Sequence, residues 1–273
     1  MKKKLIASLL ALLFCFSLVA CAQSGGGSGS GSSSSSSSGS DSDFEYIKGN
    51  GKIIVGYTVY APMNYTDNAG NFVGFDTELT EKVCAKLGFK PDFVEIDWGT
   101  KEIELAAKSI DCIWNGLTIT EERKQNMSIT IPYVKNAQVV VMKADAAYSG
   151  TSSLVGKTVC AEAGSAGEET IADDDNLQKA VYIAKDVQTS CLMEVAAGTA
   201  DAAVLDLTLA KAMTGAGTDY ANLEIKDRLA VEDYGIAFRK GSDVTEKVNE
   251  ILRGFVADGT LKALADKYSL DLA

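Results

Sequence analysis

The run Asp111-Cys112-Ile113-Trp114-Asn115-Gly116-Leu117-Thr118-Ile119-Thr120-Glu121-Glu122-Arg123 joins a short apolar stretch to a turn pair, two hydroxyls and an arginine. Arginine carries a planar fork of donors that matches a carboxylate at two points. Thr118 offers a hydroxyl and a backbone N–H nearby, and Asn115-Gly116 bring backbone carbonyls to the same strand end. Such a set can hold a small molecule bearing a carboxylate. The duller reading makes Arg123 one more solvated charge in Glu121-Glu122-Arg123-Lys124. Acid–base chemistry has little to work with, because the chain contains no histidine, the commonest general base and metal ligand. Ser-His-Asp and Cys-His mechanisms are excluded. The only close cysteine pair, Cys15 and Cys21, lies in the N-terminal leader, so no metal site and no cofactor are expected.

The elements that must position these residues alternate in type. Ile53-Ile54-Val55 reads as a strand; Phe75, Leu79, Val83, Cys84 and Leu87 keep helical spacing, with Gly88 as terminator. Phe93 to Ile96 reads as a strand and Glu102 to Ser109 as a helix. Short β-rich runs alternating with helices are the signature of α/β architecture. "AAKSIDCIWNG" (106–116) and "AAGTADAAVLD" (196–206) share Ala-Ala-x-Ser/Thr-x-Asp before an apolar strand that ends in a polar group. Two lobes of like design follow from this repeat. Ligands of open α/β sheets bind outside the carboxyl ends of the strands, which points Asn115-Gly116 and Asp206 at one cleft. Asp206 can equally cap the helix that starts near Leu207. The apolar runs Val139–Met142 and Tyr234–Phe238 are natural crossing strands. Two closing helices, about Val244 to Val256 and Thr260 to Lys267, meet at Asp258-Gly259.

The 273 residues are 46% hydrophobic and 23% charged, with 26 bases against 37 acids and a net charge of −11. A phosphate backbone has to be neutralised by Lys and Arg, so nucleic acid is not an expected partner. The N-terminus reads as an address. Lys2-Lys3-Lys4 followed by the apolar Leu5–Leu18 matches the n- and h-regions of a secretory signal, and the run is short for a spanning helix. Leu18-Val19-Ala20-Cys21 resembles the bacterial lipobox, which implies a signal peptide over 1–20 and a palmitate-type lipid on Cys21; ordinary signal cleavage within Ala20-Cys21-Ala22 is the alternative. The Gly/Ser-rich stretch up to residue 43 then forms a tether whose r.m.s. span is roughly 25 Å. No second apolar run of spanning length follows. The expected location is the extracytoplasmic face of the cell membrane, held by a lipid anchor.

Taken together, Gly74-Phe75-Asp76-Thr77-Glu78-Leu79, "NGLTITEER", "GKTVCAEAGS" (156–165), "ADAAVLD" (200–206), "YGIAFRKGS" (234–242) and Asp258-Gly259-Thr260-Leu261 resemble the polar-amino-acid-binding family of bacterial extracellular solute-binding proteins (family 3), the receptors of ATP-binding-cassette importers. The motifs occur in the family's order over about residues 50–270. The resemblance implies a two-lobed periplasmic-binding-protein-like (type II) α/β fold on a two-strand hinge, with lobe 1 over 44–137 and 234–273 and lobe 2 over 138–233. It also implies a monomer that closes over one amino acid and delivers it to a permease.

Carried across by position, the family's pocket places Arg123 and Thr118 on the ligand's α-carboxylate, joined by Ser165 and the backbone N–H of Ala166 where a strand turns into a helix. Ser165 can alternatively be a plain helix cap. The ammonium falls to Asp206 and to the backbone carbonyl at Asn115 or Gly116. A buried zwitterion requires both charges to be paired. Tyr60 and Trp98 match aromatic walls, and Tyr57 matches a position that carries a polar contact in several relatives. Glu162 departs from the pattern: relatives often have a neutral or basic residue there. A carboxylate at the cleft edge beside two rings favours a cationic side chain such as arginine or lysine, unless Glu162 points to water or pairs with a protein base. An acidic ligand is disfavoured, while glutamine, histidine and cystine stay open.

Cys84, Cys112, Cys160 and Cys191 read either as intra-lobe disulfides or as buried thiols. Two other function classes remain. The same fold serves a periplasmic dehydratase of the aromatic pathway, but no general base beyond the binding acids is present. A sensor lobe would continue into a spanning segment after about residue 270, whereas this sequence stops at Ala273.

Overall fold

The computed structural model describes residues 42–273; the leader, Cys21 and most of the Gly/Ser stretch lie outside the described residues. Helix α1 (Asp43–Asn50) precedes strand β1 (Lys52–Tyr57), the hairpin β2 (Tyr65–Thr66) and β3 (Phe72–Val73), helix α2 (Phe75–Leu87), β4 (Lys90–Glu95), α3 (Lys101–Ala106) and β5 (Cys112–Thr118). After α4 (Glu121–Asn126) and β6 (Met127–Ile129), the long β7 (Val134–Lys143) carries the chain into a second series. That series is β8 (Thr158–Glu162), α5 (Ala166–Asp173), β9 (Val181–Lys185), α6 (Gln188–Ala197), β10 (Ala202–Asp206) and α7 (Leu207–Met213). Strand β11 (Leu223–Arg239) returns, and α8 (Val244–Ala257) and α9 (Thr260–Tyr268) close the chain.

One sheet path runs β4-β1-β5-β11-β7-β10-β8-β9. The outer three strands on each side are parallel, and β11 and β7 between them are antiparallel to each other and to their neighbours. Counted inward from either edge, each half has its second strand, then its first, then its third. The repeat seen in the sequence is α3–β5 in one half and α6–β10 in the other. The two division points anticipated at 137/138 and 233/234 fall inside β7 and β11.

Local chemistry explains the boundaries. Helix α2 buries Phe75, Leu79, Val83 and Cys84 and stops at Gly88, whose φ of 79° is a left-handed cap. Helix α3 ends at Ala106, earlier than its spacing predicts, because Lys108 takes a positive φ of 62°. Helix α1 falls at the junction of the tether and the β-rich region, where the sequence reading places no element. The Ser42 hydroxyl caps it, and Asp43 ties it to Arg239 at 2.7 Å. Every residue of β5 is buried, as a central strand covered on both faces requires. The four cysteines of the described region are free, buried thiols.

An acid on α2 holds the end of β5. Asp76 is fully buried, and its Oδ2 accepts from the Gly116 N–H at 2.8 Å and the Tyr133 hydroxyl at 3.0 Å. Position 116 needs glycine: its φ is 62°, and a Cβ there would lie 2.8 Å from Tyr60 Cε1. Burial pushes the Asp76 carboxyl up to about 7. An acid raised in the folded state stabilises fully below its unfolded value and loses that contribution as pH rises through the folded value, here on the order of 3 kcal/mol between pH 4 and 7. Denaturant unfolding at a series of pH values should show that Asp76→Asn removes much of the fall between pH 5 and 8. A profile that keeps the wild-type slope in the Asn variant would mean that Asp76 does not titrate there.

Candidate ligand-binding site

The carboxyl ends of β5, β8 and β10 meet the loops after β1 and β4 around a nearly enclosed cavity of only about 10 Å³. That is room for about one water and far below the roughly 300–1,000 Å³ of typical small-molecule pockets, so an amino acid can enter only if the halves part. Tyr60, Trp98, Asn115, Gly116, Thr118, Arg123, Glu162, Ser165, Ala166 and Asp206 line it together with Gln188. Ten of the eleven residues singled out from the sequence are therefore neighbours, although they span about 150 positions of chain. Tyr57 is the exception. It ends β1 with its ring packed on Phe72 and Phe93, at centroid distances of 4.9 and 6.3 Å, away from the cavity.

Arg123 turns inward. Only 4% exposed, it lies between Glu122 and Lys124, which are both in solvent, so the reading of a solvated charge run does not hold for it. The Thr120 hydroxyl caps α4 by accepting the Arg123 N–H at 3.1 Å, which fixes where the side chain starts. Nη1 donates to the Thr118 carbonyl at 2.9 Å, and Nη2 pairs at 2.5 Å with Glu169 on α5, whose side chain is 48% exposed. This ion pair bridges the two halves. Lys101 makes a second bridge: its ammonium donates to the carbonyls of Trp98 at 3.1 Å and Gly164 at 2.8 Å. It also lies 5.0 Å from the Trp98 ring centroid, so a protein cation occupies a face expected to meet a ligand. Burial, then the charge of Arg123, lowers the Lys101 ammonium to about 8.

The opposite wall is acidic. Glu162 was expected at the cleft edge, but it is enclosed at 2% exposure because the two bridges shut the halves over it. Its Oε1 has no hydrogen-bond partner. Burial, then the nearby charge of Asp206, pushes its carboxyl up to about 8. Asp206 sits at the start of α7 but makes no side-chain cap. Its Oδ1 accepts from Asn136 at 2.6 Å and Gln138 at 2.7 Å, Oδ2 accepts from Gln188, and its own N–H donates to the side-chain Oε1 of Gln188 at 2.9 Å. Half-buried Glu232 on β11 accepts from the same two amides at 2.6 and 3.0 Å and from the Thr118 hydroxyl at 3.0 Å. Among the described residues, no lysine or arginine forms an ion pair with Glu162, Asp206 or Glu232.

The remaining lining residues are braced by the protein. The Asn115 side chain is fully engaged with Thr58 and Asn64, which leaves its backbone to face the cavity. Ser165 is the cap of α5, accepting the Glu168 N–H at 3.2 Å, and it lines the cavity as well. The Tyr60 hydroxyl bonds to Thr208 and, at 2.6 Å, to the Tyr234 hydroxyl, so its ring stands as a fixed wall. Gln188, Lys101, Glu169, Glu232, Asn136 and Gln138 were not singled out from the sequence. Each matters only through its tertiary neighbours; the two-residue spacing of Asn136 and Gln138 beside an apolar strand was the one local hint.

Residues 53–271 match the family model described as bacterial extracellular solute-binding proteins, family 3. The chain is 28% identical to the arginine-binding extracellular protein ArtP of Bacillus subtilis, over 97% of this chain and 98% of that one. It is 31% identical to the lysine/arginine/ornithine-binding periplasmic protein of Escherichia coli, over 77% and 84%. A crystal structure of a mutant of ArgBP from T. maritima superposes with a TM-score of 0.76 at 33% identity, covering 83% of this chain and 98% of that one. The solved relatives are two-lobed α/β proteins of the periplasmic-binding-protein class, in agreement with the two half-sheets joined by β7 and β11. By its sequence match, its fold and its relatives, this chain belongs to the bacterial extracellular solute-binding proteins of family 3 and is an amino-acid-binding member of it.

Proposed function

We propose that the protein captures one L-amino acid with a cationic side chain, of the arginine or lysine kind, and delivers it to an ABC importer in the membrane to which Cys21 anchors it. The observation behind this reading is the charge pattern of one cavity: Arg123 on one wall, and on the other Glu162 and Asp206, with no base paired to them among the described residues. The ligand's carboxylate takes Arg123, Thr118 and the start of α5 at Ser165 and Ala166. Its ammonium takes Asp206 and a carbonyl of Asn115 or Gly116. The side-chain cation takes Glu162, whose Oε1 lacks a partner, with Tyr60 and Trp98 along the stem. A neutral or acidic side chain would leave that carboxyl uncompensated in a dry site, which is costly. The arginine-binding and lysine/arginine/ornithine-binding relatives agree with this class.

In this reading the lobes are 44–137 with 234–273, and 138–233, moving on β7 and β11. Because the contacts come from both lobes, the ligand stabilises the closed form. No turnover is involved. Cys21→Ser should release the protein from the membrane, and retention of that variant would refute the lipid anchor.

Titration calorimetry against L-arginine, L-lysine, L-ornithine, L-histidine, L-glutamine, L-cystine and L-glutamate should give one site, tightest for a cationic member. Heat from none of the twenty amino acids would sink the binding reading; glutamate as the tightest ligand would sink the role of Glu162. Arg123→Ala should weaken binding by about 2–5 kcal/mol, the usual cost of truncating one partner of a buried charged pair. Glu162→Gln should weaken L-arginine by tenfold or more, while L-glutamine keeps or gains affinity; equal losses for both would assign Glu162 to the fold instead.

A further inference from the structure

Glu232 takes no part in the contacts assigned above, yet the sheet ties it to Asp206. Strand register sets Asp206 opposite Gln138 and Glu232 opposite Asn136, on three neighbouring strands. Asn136 and Gln138 are two apart on β7 and so share a face, which stands two amides between two acids. Each amide nitrogen has two N–H donors. Asn136 gives one to Asp206 Oδ1 and one to Glu232 Oε1, both at 2.6 Å, and Gln138 does the same at 2.7 and 3.0 Å. The Asn136 amide cannot turn over without loss, because its Oδ1 accepts the Thr208 N–H at 3.1 Å.

Two carboxyl groups held this closely cannot both ionise without a counter-charge; one of them keeps a proton. The groups facing the pair bring none. Tyr60, from the loop after β1, and Tyr234 on β11 present hydroxyls, both held well above their ordinary range by burial and by Asp206. Glu162 on β8 is another acid. The nearest bases are engaged elsewhere, Arg123 with the Thr118 carbonyl and Glu169, and Lys101 with two backbone carbonyls. Burial, then the charge of Asp206, raises Glu232. Burial raises Asp206 too, opposed by the bonds from Gln188, Tyr234 and Gln138. Both Asp206 oxygens accept from amides, whereas the bonds to Glu232 all fall on Oε1, which leaves Glu232 Oε2 to carry the proton. The two acids also face different spaces: Asp206 lines the closed cavity, and Glu232 lines an open surface hollow whose other charged residues are Lys124, already paired with Glu121 at 2.8 Å, and the acids Glu169, Asp173 and Asp233.

We propose that the Asp206–Glu232 pair holds one proton, which Glu232 gives up to solvent when the α-ammonium of an amino acid docks on Asp206, so that capture is coupled to proton release. The inference rests on Asp206 as the ammonium acceptor. In the step one O–H bond of Glu232 breaks, the electron pair stays on the carboxylate and the proton passes to buffer. The pair goes from one negative charge to two as the ammonium adds one positive. A proton lost on binding means that the carboxyl titrates higher in the free protein than in the complex. Affinity is then full above the free value and falls as pH drops through it, by up to tenfold per pH unit, until the value in the complex is reached.

Calorimetric titration of the protein with L-arginine, or with L-glutamine if arginine gives no heat, at pH 7 in two buffers of different ionisation enthalpy counts the protons released. The wild type should release at least about half a proton more than Glu232→Gln, since the variant has no carboxyl to titrate at that position. Glu162→Gln, which leaves the pair intact, should release more than the double variant Glu162→Gln/Glu232→Gln. Equal counts in wild type and Glu232→Gln would overturn the inference. If Glu232→Gln does not fold, Glu162→Gln decides it alone, because Glu162 can itself lose a proton to the ligand's cation: a dissociation constant flat from pH 6 to 8.5 in that variant overturns the coupling, and a rise toward low pH with proton release supports it. Binding without proton release removes this inference only, whereas no binding by any amino acid removes it together with the function on which it rests.

Discussion

Glu162 and Asp206 are withdrawn from water on one side of a small cavity, with half-buried Glu232 behind them, and among the described residues no base is paired to any of the three. Removing a carboxylate from water costs several kcal/mol unless charge or hydrogen bonds replace the solvent. Much of the surrounding structure answers that requirement. Asn136 and Gln138 on β7 donate both amide hydrogens to Asp206 and Glu232, and Gln188 at the start of α6 donates one more to Asp206. Glu162 is left with one oxygen unmatched.

The architecture brings that imbalance to one place. Each half-sheet is three parallel strands in the same order, and the carboxyl ends of both halves face each other across β7 and β11. The crossing strands are more than connectors, because the amides and Glu232 that govern Asp206 lie on them. Tyr60, bonded to Thr208 and Tyr234, and Asp76, bonded to Gly116 and Tyr133, brace the first half's contribution from behind. Movement of the halves therefore changes the surroundings of the acids as well as access to them.

Local signals carried most of what the sequence made legible. Strand ends, the Gly88 terminator, the helix–strand repeat and Arg123 after a turn pair are all short-range patterns, and the ordered motifs name ten residues that the fold brings to one cavity. What stayed hidden depends on register. Glu232 meets Asn136 only because β11 and β7 pair with shifts between Ile225 and Asp227 and between Arg228 and Ala230, which no spacing along the chain encodes. Tyr57 and Tyr60 illustrate the same limit. Three residues apart on one strand end, they point to different neighbours, one to Phe72 and Phe93 and the other to the cavity wall. Lys101 displaced the simple picture of Trp98 as a ligand wall because a helix start and a loop of the other half happen to meet there.

The Arg123–Glu169 bridge bears on how capture should be thought of. The guanidinium is buried, but its partner is half in water, and it already holds one carboxylate when the halves are shut. On the proposed reading an incoming carboxylate meets an occupied fork, so its gain at Arg123 is the difference between two anions on one cation rather than the whole attraction of either. Screening acts more strongly on the wet partner than on an enclosed one. Dissolved salt would thus loosen the internal anion first, making the bridge a place where the ionic strength outside the cell enters the affinity of the site.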